Sequence, residues 1–324
     1  MTDIDTLAAH LTTLTQGRTS PPRLRNGMLT LALDVSGLTP DARDAMEAAI
    51  REAALVVPGV DDVRMVMTAE RKSLRIVVVG SGKGGVGKST LSANLAVALK
   101  RLGHNVGLVD ADIYGPSQAR LMDSEDVKPE ARESRMIPIM SRFGVPMLSM
   151  AHLIAPGQAI AWRGPMVGNA LGQLLDARWD EAGVDLLIVD LPPGTGDIQL
   201  SMIQKHKPIG AVIVSTPQDL ALIDATRAIS LFDQAHVPVI GLVENMAGYI
   251  CPHCGELSDP FGSGGAQAAA TQMQLPFLGR IPLDIAIRKA SDAGEPVAAG
   301  DGLQAGAFRV IAEKLAAWLG AERG

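Results

Sequence analysis

The chain of 324 residues is 47% apolar but only 3% aromatic, enough for one large and one small domain cored mainly by aliphatic side chains. Its formal net charge of −6, with no dense Lys/Arg run, argues against nucleic acid as a partner. No apolar run approaches the roughly 20 residues of a membrane helix, no export signal is evident, and two cysteines in so long a chain fit a reducing compartment, so a cytoplasmic protein without a membrane partner is expected.

Residues 1–70 read as a small α+β domain. In GMLTLALDV, Leu29, Leu31 and Leu33 alternate as in a half-buried strand. Thr39 as N-cap and Pro40 at the first helical position open a helix through TPDARDAMEAAIREAALVV, with Met46 and Ile50 four apart. A second strand follows in GVDDVRMVMTAE, where Val63, Met65 and Met67 share one face. The polar stretch AERKS joins this domain to the next.

From Leu74 to the C-terminus the pattern changes. Short, wholly apolar runs (LRIVVV, NVGLV, VDLLIV, GAVIVS, VPVIGLV and the weaker LPFLGRI) alternate with helical stretches such as STLSANLAVALKRLG and DLALIDATRAISLFDQA. Runs without polar alternation are strands covered on both faces, and alternation of strand with helix predicts an α/β domain over 74–324 built on a doubly wound, mostly parallel sheet. DSEDVKPEARESRM reads as an exposed loop. The C-terminal AFRVIAEKLAAWLG carries Phe308, Ile311, Leu315 and Trp318 on one face. Its polar residues are mixed in sign, so a core-packing helix is expected rather than a membrane anchor.

The stretch GSGKGGVGKST follows a predicted strand and opens a predicted helix, the context of a phosphate-binding loop. Gly82, Gly84, Gly85 and Gly87, with Lys83, Val86 and Thr90, would wrap backbone N–H groups around a phosphate at a helix N-terminus. Lys88 would neutralise β/γ oxygens and Ser89 would offer its hydroxyl to Mg²⁺. Asp190 ends another strand at the position of the acid that holds Mg²⁺ through water, followed by the Gly-rich LPPGTG, whose backbone suits a γ-phosphate sensor. Of Asp110 and Asp112 in VDADIYGPS, Asp112 is preferred as the group that orients or deprotonates the attacking water.

Lys83 is the unusual residue. Lys88 already serves this nucleotide, and a second ammonium on the same phosphate would repel it; at the lip of the loop, Lys83 can extend into a neighbouring subunit's site and stabilise transition-state charge in trans. KGGVGKST with this extra lysine resembles the deviant Walker A motif of the MinD/ParA/nitrogenase-iron-protein class of ATPases. That resemblance implies ATP as the nucleotide and a nucleotide-sandwich homodimer.

Both cysteines lie in VENMAGYICPHCGE, as Cys251 and Cys254, on a tight turn after a strand. The pair could be redox-active, half a zinc site or half an iron–sulfur site, and His253 between them reads as a bystander. One chain is two thiolates short of a four-cysteine shell, and a two-fold dimer would supply the rest. Cluster and zinc stay open on the ligand chemistry alone.

WRGPM, DLPPGTGD, STPQDLALIDA, VENMAGYICPHCG, FGSGG and LGRIPLDIAIRKASDAGEPV occur in the order seen in the Mrp/ApbC family of iron–sulfur cluster carriers, and the resemblance spans about Leu74 to Val297. It implies that Asn245 recognises adenine, that the loop from Pro282 completes the adenine pocket, and that Cys251 and Cys254 hold a [4Fe–4S] cluster bridging a dimer. It implies a slow ATPase coupled to cluster transfer, with a cluster donor and recipient apo iron–sulfur proteins as partners. PGVDDVRMVMTAE resembles the MIP18-like domain often fused to these carriers, although GLTPDARDAME lacks the cysteine such domains often carry; a docking module is the expectation. A positioning ATPase of the MinD/ParA kind would not need paired cysteines. An electron-transfer reductase like the nitrogenase iron protein draws its cysteines from two separated loops, and a zinc-bridged dimer is a further alternative.

Overall fold

The computed structural model describes residues 3–322 apart from 37, 39, 69–73, 154–163, 195 and 252. The proposed cap Thr39, the AERKS stretch, Trp162 and Arg163 of WRGPM, Thr195 of DLPPGTGD and Pro252 therefore lie outside the described residues. The chain divides into two compact units, Met1–Ser73 and Leu74–Gly324.

In the first unit the order is α1 (Asp3–Leu14), β1 (Arg23–Arg25), β2 (Met28–Asp34), α2 (Pro40–Leu55) and β3 (Asp62–Thr68). β1 and β2 are antiparallel, β2 and β3 parallel, and β2 is central. Leu29, Leu31 and Leu33 are fully buried beside Leu7 and Leu11 of α1, Ile50 and Ala54 of α2, and Val63. The alternation in β2 is thus the imprint of a sheet with one face under helices. β3 follows the same alternation less fully: Val63 is buried, Met65 partly so, and Met67 at the strand's end is 39% exposed. α1 and β1 have no counterpart in the sequence reading. α1 buries only Leu7 and Leu11, four apart among polar residues, and β1 is a single leucine between two arginines.

The second unit begins β4 (Arg75–Gly80), α3 (Lys88–Arg101), β5 (Val106–Asp110), α4 (Gln118–Leu121), β6 (Ala131–Arg132), β7 (Arg135–Met136), β8 (Ile139–Met140) and β9 (Pro146–Ser149). It continues α5 (Gly164–Leu175), β10 (Leu186–Asp190), α6 (Asp197–His206), β11 (Gly210–Ser215), α7 (Asp219–Gln234), β12 (Val239–Ile250) and β13 (Leu257–Ser258). α8 (Gly265–Gln272), β14 (Phe277–Leu283), α9 (Ile285–Asp292) and α10 (Leu303–Ala321) complete it. The sheet runs β13-β12-β11-β4-β10-β5-β9-β8, with β14 also on β12. Only the edge strands β8 and β13 are antiparallel.

Each apolar run named from the sequence is one of the parallel strands, and the core on either side explains why. Ile76 and Val78 of β4 join a cluster with α5, α6 and α7, while Val77 and Val79 join one with α3 and α10. Phe308, Ile311 and Leu315 of α10 are fully buried on that second side, and Gly210 of β11 leaves room for Trp318. The C-terminal helix is a core element, and no helix among the described residues is long and apolar enough to cross a membrane.

The reading of DSEDVKPEARESRM as a loop needs correction. Its residues are largely exposed, but β6 and β7 form a hairpin within it, turned by Glu133 and Ser134, both with positive φ. Glu133 and Glu181 clasp the buried guanidinium of Arg178 against it, and Arg178 Nε donates to Arg132 O at 3.2 Å.

Candidate nucleotide site and cysteine hairpin

The functional motifs gather where the parallel strands end. β4 runs into the glycine-rich loop, β5 into Asp110, and β10 into Asp190, which sits directly across from Asp110 in the β5–β10 register. Neighbouring strands lie about 4.8 Å apart, so two carboxylates are forced together beneath the loop. Gly85 and Gly87 have φ of 78° and 82°, the left-handed region that an L-residue resists. A Cβ at Gly87 would also stand 2.0 Å from Nδ2 of Asn245, which instead donates to Val86 O at 2.7 Å. Glycine here is a requirement of close approach. The segment after Asp190 meets the loop from below, with Gly194 N donating to Ser81 O at 3.2 Å.

Lys88, at the first turn of α3, is 5% exposed and its Nζ lies 2.6 Å from Asp190 Oδ1. Ser92 Oγ donates to the same oxygen at 3.0 Å, and Gln118 Nε2 to the other at 2.9 Å. Asp110 accepts from the backbone N–H of Gln118 at 2.9 Å, Ser149 Oγ at 2.8 Å and the Asp112 N–H at 3.1 Å. Burial, then the adjacent Asp190 carboxylate, pushes Asp110 up to about 7 against those hydrogen bonds. Asp112 is nearly buried and turns its own loop, accepting from Tyr114 N at 3.0 Å and Gly115 N at 3.2 Å. Lys83 is half-buried on the loop. Its carbonyl accepts from Ser81 Oγ at 2.9 Å, while its ammonium has no ion pair among the described residues.

A pocket of about 620 Å³ opens beside the loop, lined among others by Gly87, Ser89, Thr90, Asn245, Pro282 and Asp284. That volume is within the range of small-molecule sites. It brings Asn245 and the segment from Pro282 to the phosphate loop, with the N-terminus of α3 supplying its dipole. Beside Ser89, whose backbone carbonyl accepts from Gln118 Nε2 at 2.9 Å, lie the two in-register carboxylates and a buried Gln118 Oε1 that has no hydrogen-bond partner among the described residues, oxygens of the kind that hold a hydrated divalent cation.

Cys251 and Cys254 lie in the hairpin between β12 and β13. The Cys251 N–H donates to Glu256 O at 2.9 Å, and the Gly255 N–H to Cys251 O at 2.8 Å, with Gly255 at φ 75° closing the turn. Backbone N–H groups of Cys254 and then His253 point at the Cys251 sulfur and pull its pKa down. Cys254 is exposed, with Glu256 Oε2 3.9 Å from its sulfur. Among the described residues of one chain, no group of three or more His, Cys, Asp or Glu side chains is placed to hold a metal ion.

A P-loop on a doubly wound sheet, joined to an exposed two-cysteine hairpin, agrees with the comparisons to known proteins. The sequence profile of the family described as ParA, NUBPL iron-transfer P-loop NTPase, matches residues 72–316. The chain belongs to that family. An iron–sulfur cluster carrier protein of Deinococcus radiodurans is 48% identical over 283 residues, covering 84% of this chain and 80% of its own. A nucleotide-binding protein from Archaeoglobus fulgidus, solved with ADP and with cobalt, is 38% identical; the match covers 69% of this chain and 88% of that one, with a TM-score of 0.61. The cell-division ATPase MinD of Pyrococcus furiosus is 26% identical over 76% of this chain and 99% of its own, at a TM-score of 0.58.

Seen as a NUBPL-type NTPase, the chain has structural residues that sequence reasoning passed over. Glu244 is fully buried and accepts from Gly264 N at 3.2 Å, Ala266 N at 2.8 Å and Arg280 Nε at 3.0 Å. It thereby pins the FGSGG loop to β12, and Gly265 lets that loop press on Pro217, whose carbonyl a Cβ would meet at 2.3 Å. A lone acid inside an apolar strand run was the available signal. Ser92, Gln118 and Ser149 had none, because they matter only through partners far away in sequence.

Proposed function

We propose that the chain is an iron–sulfur cluster carrier. It works as a homodimer that binds ATP with Mg²⁺, holds a [4Fe–4S] cluster between the Cys251 and Cys254 pairs of two copies, accepts it from a cluster donor and passes it to apo iron–sulfur proteins. Slow ATP hydrolysis accompanies the transfer, in the cytoplasm. The observation that carries this reading is the hairpin: two thiols, one exposed and one with N–H groups trained on its sulfur, at the end of the strand whose Asn245 lines the nucleotide pocket. The naming of 48%-identical relatives as cluster carriers supports it.

In this reading Gly82 to Thr90 cradle the phosphates, and Lys88 exchanges Asp190 for phosphate oxygens when nucleotide arrives. The Asn245 amide, one N–H already fixed to Val86 O, offers its remaining edge to adenine. Ser89 directly and Asp190 through water would hold Mg²⁺, which would supply charge to phosphate oxygens. Asp112, held rigid by its own turn, orients the attacking water. Lys83, with no partner in its own chain among the described residues, reaches the phosphates of the second copy. The cluster is cargo, and an exposed site that one chain cannot complete suits cargo that must leave. The N-terminal unit serves as a docking module of the MIP18-like kind.

Anaerobic reconstitution with iron and sulfide tests the proposal. A brown chromophore with one cluster per pair of chains is expected, lost on Cys251→Ala or Cys254→Ala. A colourless protein that takes up zinc instead would overturn it.

A further inference from the structure

We propose that Gln118 is a positioning residue for the metal ion of the nucleotide site, its side-chain carbonyl oxygen accepting a hydrogen bond from water bound to that ion. The inference rests on the nucleotide reading of the pocket and is independent of the cluster. Gln118 is fully buried at the start of α4. Its Nε2 donates to Ser89 O and to Asp190 Oδ2, both at 2.9 Å, and its backbone N–H donates to Asp110 Oδ2. One residue thus touches the backbone of the expected hydroxyl ligand and both in-register carboxylates.

Those contacts settle which end of the amide is which. Nε2 faces two acceptors, a carbonyl and a carboxylate, and a flipped amide would set oxygen against oxygen at both. Oε1 is therefore the other atom, and it is buried without a hydrogen-bond partner among the described residues. A buried acceptor left unpaired is costly, and native proteins rarely leave one without a reason. Here the neighbourhood offers one. Within hydrogen-bond reach of the same amide lie the Ser89 backbone and the Asp190 carboxylate, the two residues between which a hydrated Mg²⁺ would sit. Mg²⁺ sheds water reluctantly and is held largely through its hydration shell. Water on the ion is a strong donor, and a neutral carbonyl oxygen gives it an acceptor without adding charge beside Asp190 and Asp110. The donor half of the amide holds Asp190 in place and the acceptor half completes the shell.

Equilibrium binding of a fluorescent ATP analogue to the cluster-free protein, with Mg²⁺ and with EDTA, tests this. Wild type is expected to gain affinity with Mg²⁺. Gln118→Leu should keep its EDTA affinity within about twofold and lose about tenfold of the Mg²⁺-dependent gain, the loss of one hydrogen bond to a charged site. Gln118→Glu keeps an acceptor while losing the donor, and should retain or enlarge the gain even where its repulsion of Asp190 lowers stability. Free Mn²⁺ counted by electron paramagnetic resonance at saturating ADP should show the same ranking without any turnover. An undiminished Mg²⁺ gain in Gln118→Leu, an equal loss in Mg²⁺ and EDTA, or a Gln118→Glu as impaired as Gln118→Leu would overturn the inference. Wild type that binds no nucleotide would instead sink the reading of the pocket itself.

Discussion

The phosphate loop and the cysteine hairpin are built on opposite plans. Beneath the loop three charged side chains are buried and answered: Lys88 by Asp190, Asp190 by Ser92 and Gln118, Asp110 by Ser149 and two backbone N–H groups. At the hairpin the sulfurs are half or fully exposed, and the turn rests on a few local hydrogen bonds. The contrast separates two physical tasks. A site that must discriminate transition-state charge is preorganised inside the protein, whereas a site that must surrender its ligand stays at the surface and incomplete.

Four substitutions and conditions probe that contrast, and the largest effect falls on catalysis. Lys83→Ala should leave nucleotide affinity near wild type and slow ATP turnover about a hundredfold, the usual loss when one charge-stabilising donor is removed. Turnover unchanged in the variant would refute a role for Lys83 in trans. For stability, Lys88→Ala strands Asp190 in a buried site opposite Asp110 and should cost about 3 kcal/mol in denaturant unfolding. Cys254→Ala, on an exposed turn, should cost less than about 0.5 kcal/mol. Equal losses would mean that the two regions do not differ as described.

A smaller effect is expected with pH. The folded value of Asp110, about 7, lies above its ordinary 3.8. The native chain therefore keeps a proton that the unfolded chain releases between these values. Stability should fall as pH rises through that window and level off above it. Asp110→Asn should flatten the fall, a comparison made by thermal unfolding from pH 5 to pH 8. A wild-type profile as flat as the variant's would mean that Asp110 is ionised throughout.

The same contrast governs what could be read from sequence. The phosphate loop was legible because its glycines, lysines and serine are consecutive. The parallel strands were legible because burial on both faces leaves wholly apolar runs, as in Ile76 to Val79. The hairpin cysteines were legible as the only two in the chain. What escaped was tertiary. β9 is four residues opening on Pro146, and it becomes a buried strand only because β5 lies beside it. Gln118 sits in an unremarkable GPSQAR, and its contacts to Ser89 and Asp190 arise only when α4 folds against α3 and β10. α1 and β1 carry too few apolar residues to announce themselves, and they are fixed by the leucines of β2. Local pattern reveals elements that are self-sufficient in their burial; networks closed by distant partners leave no such trace.

Under the proposed function two copies of the chain finish each other's chemistry, Lys83 for the phosphates and the paired sulfurs for the cargo. Light scattering coupled to size exclusion, on anaerobically reconstituted protein with bound ATP, measures this directly. The mass should be that of two chains, reverting towards one when Cys251→Ala and Lys83→Ala are combined and nucleotide is removed. A single-chain mass in the reconstituted, ATP-bound protein would contradict the account.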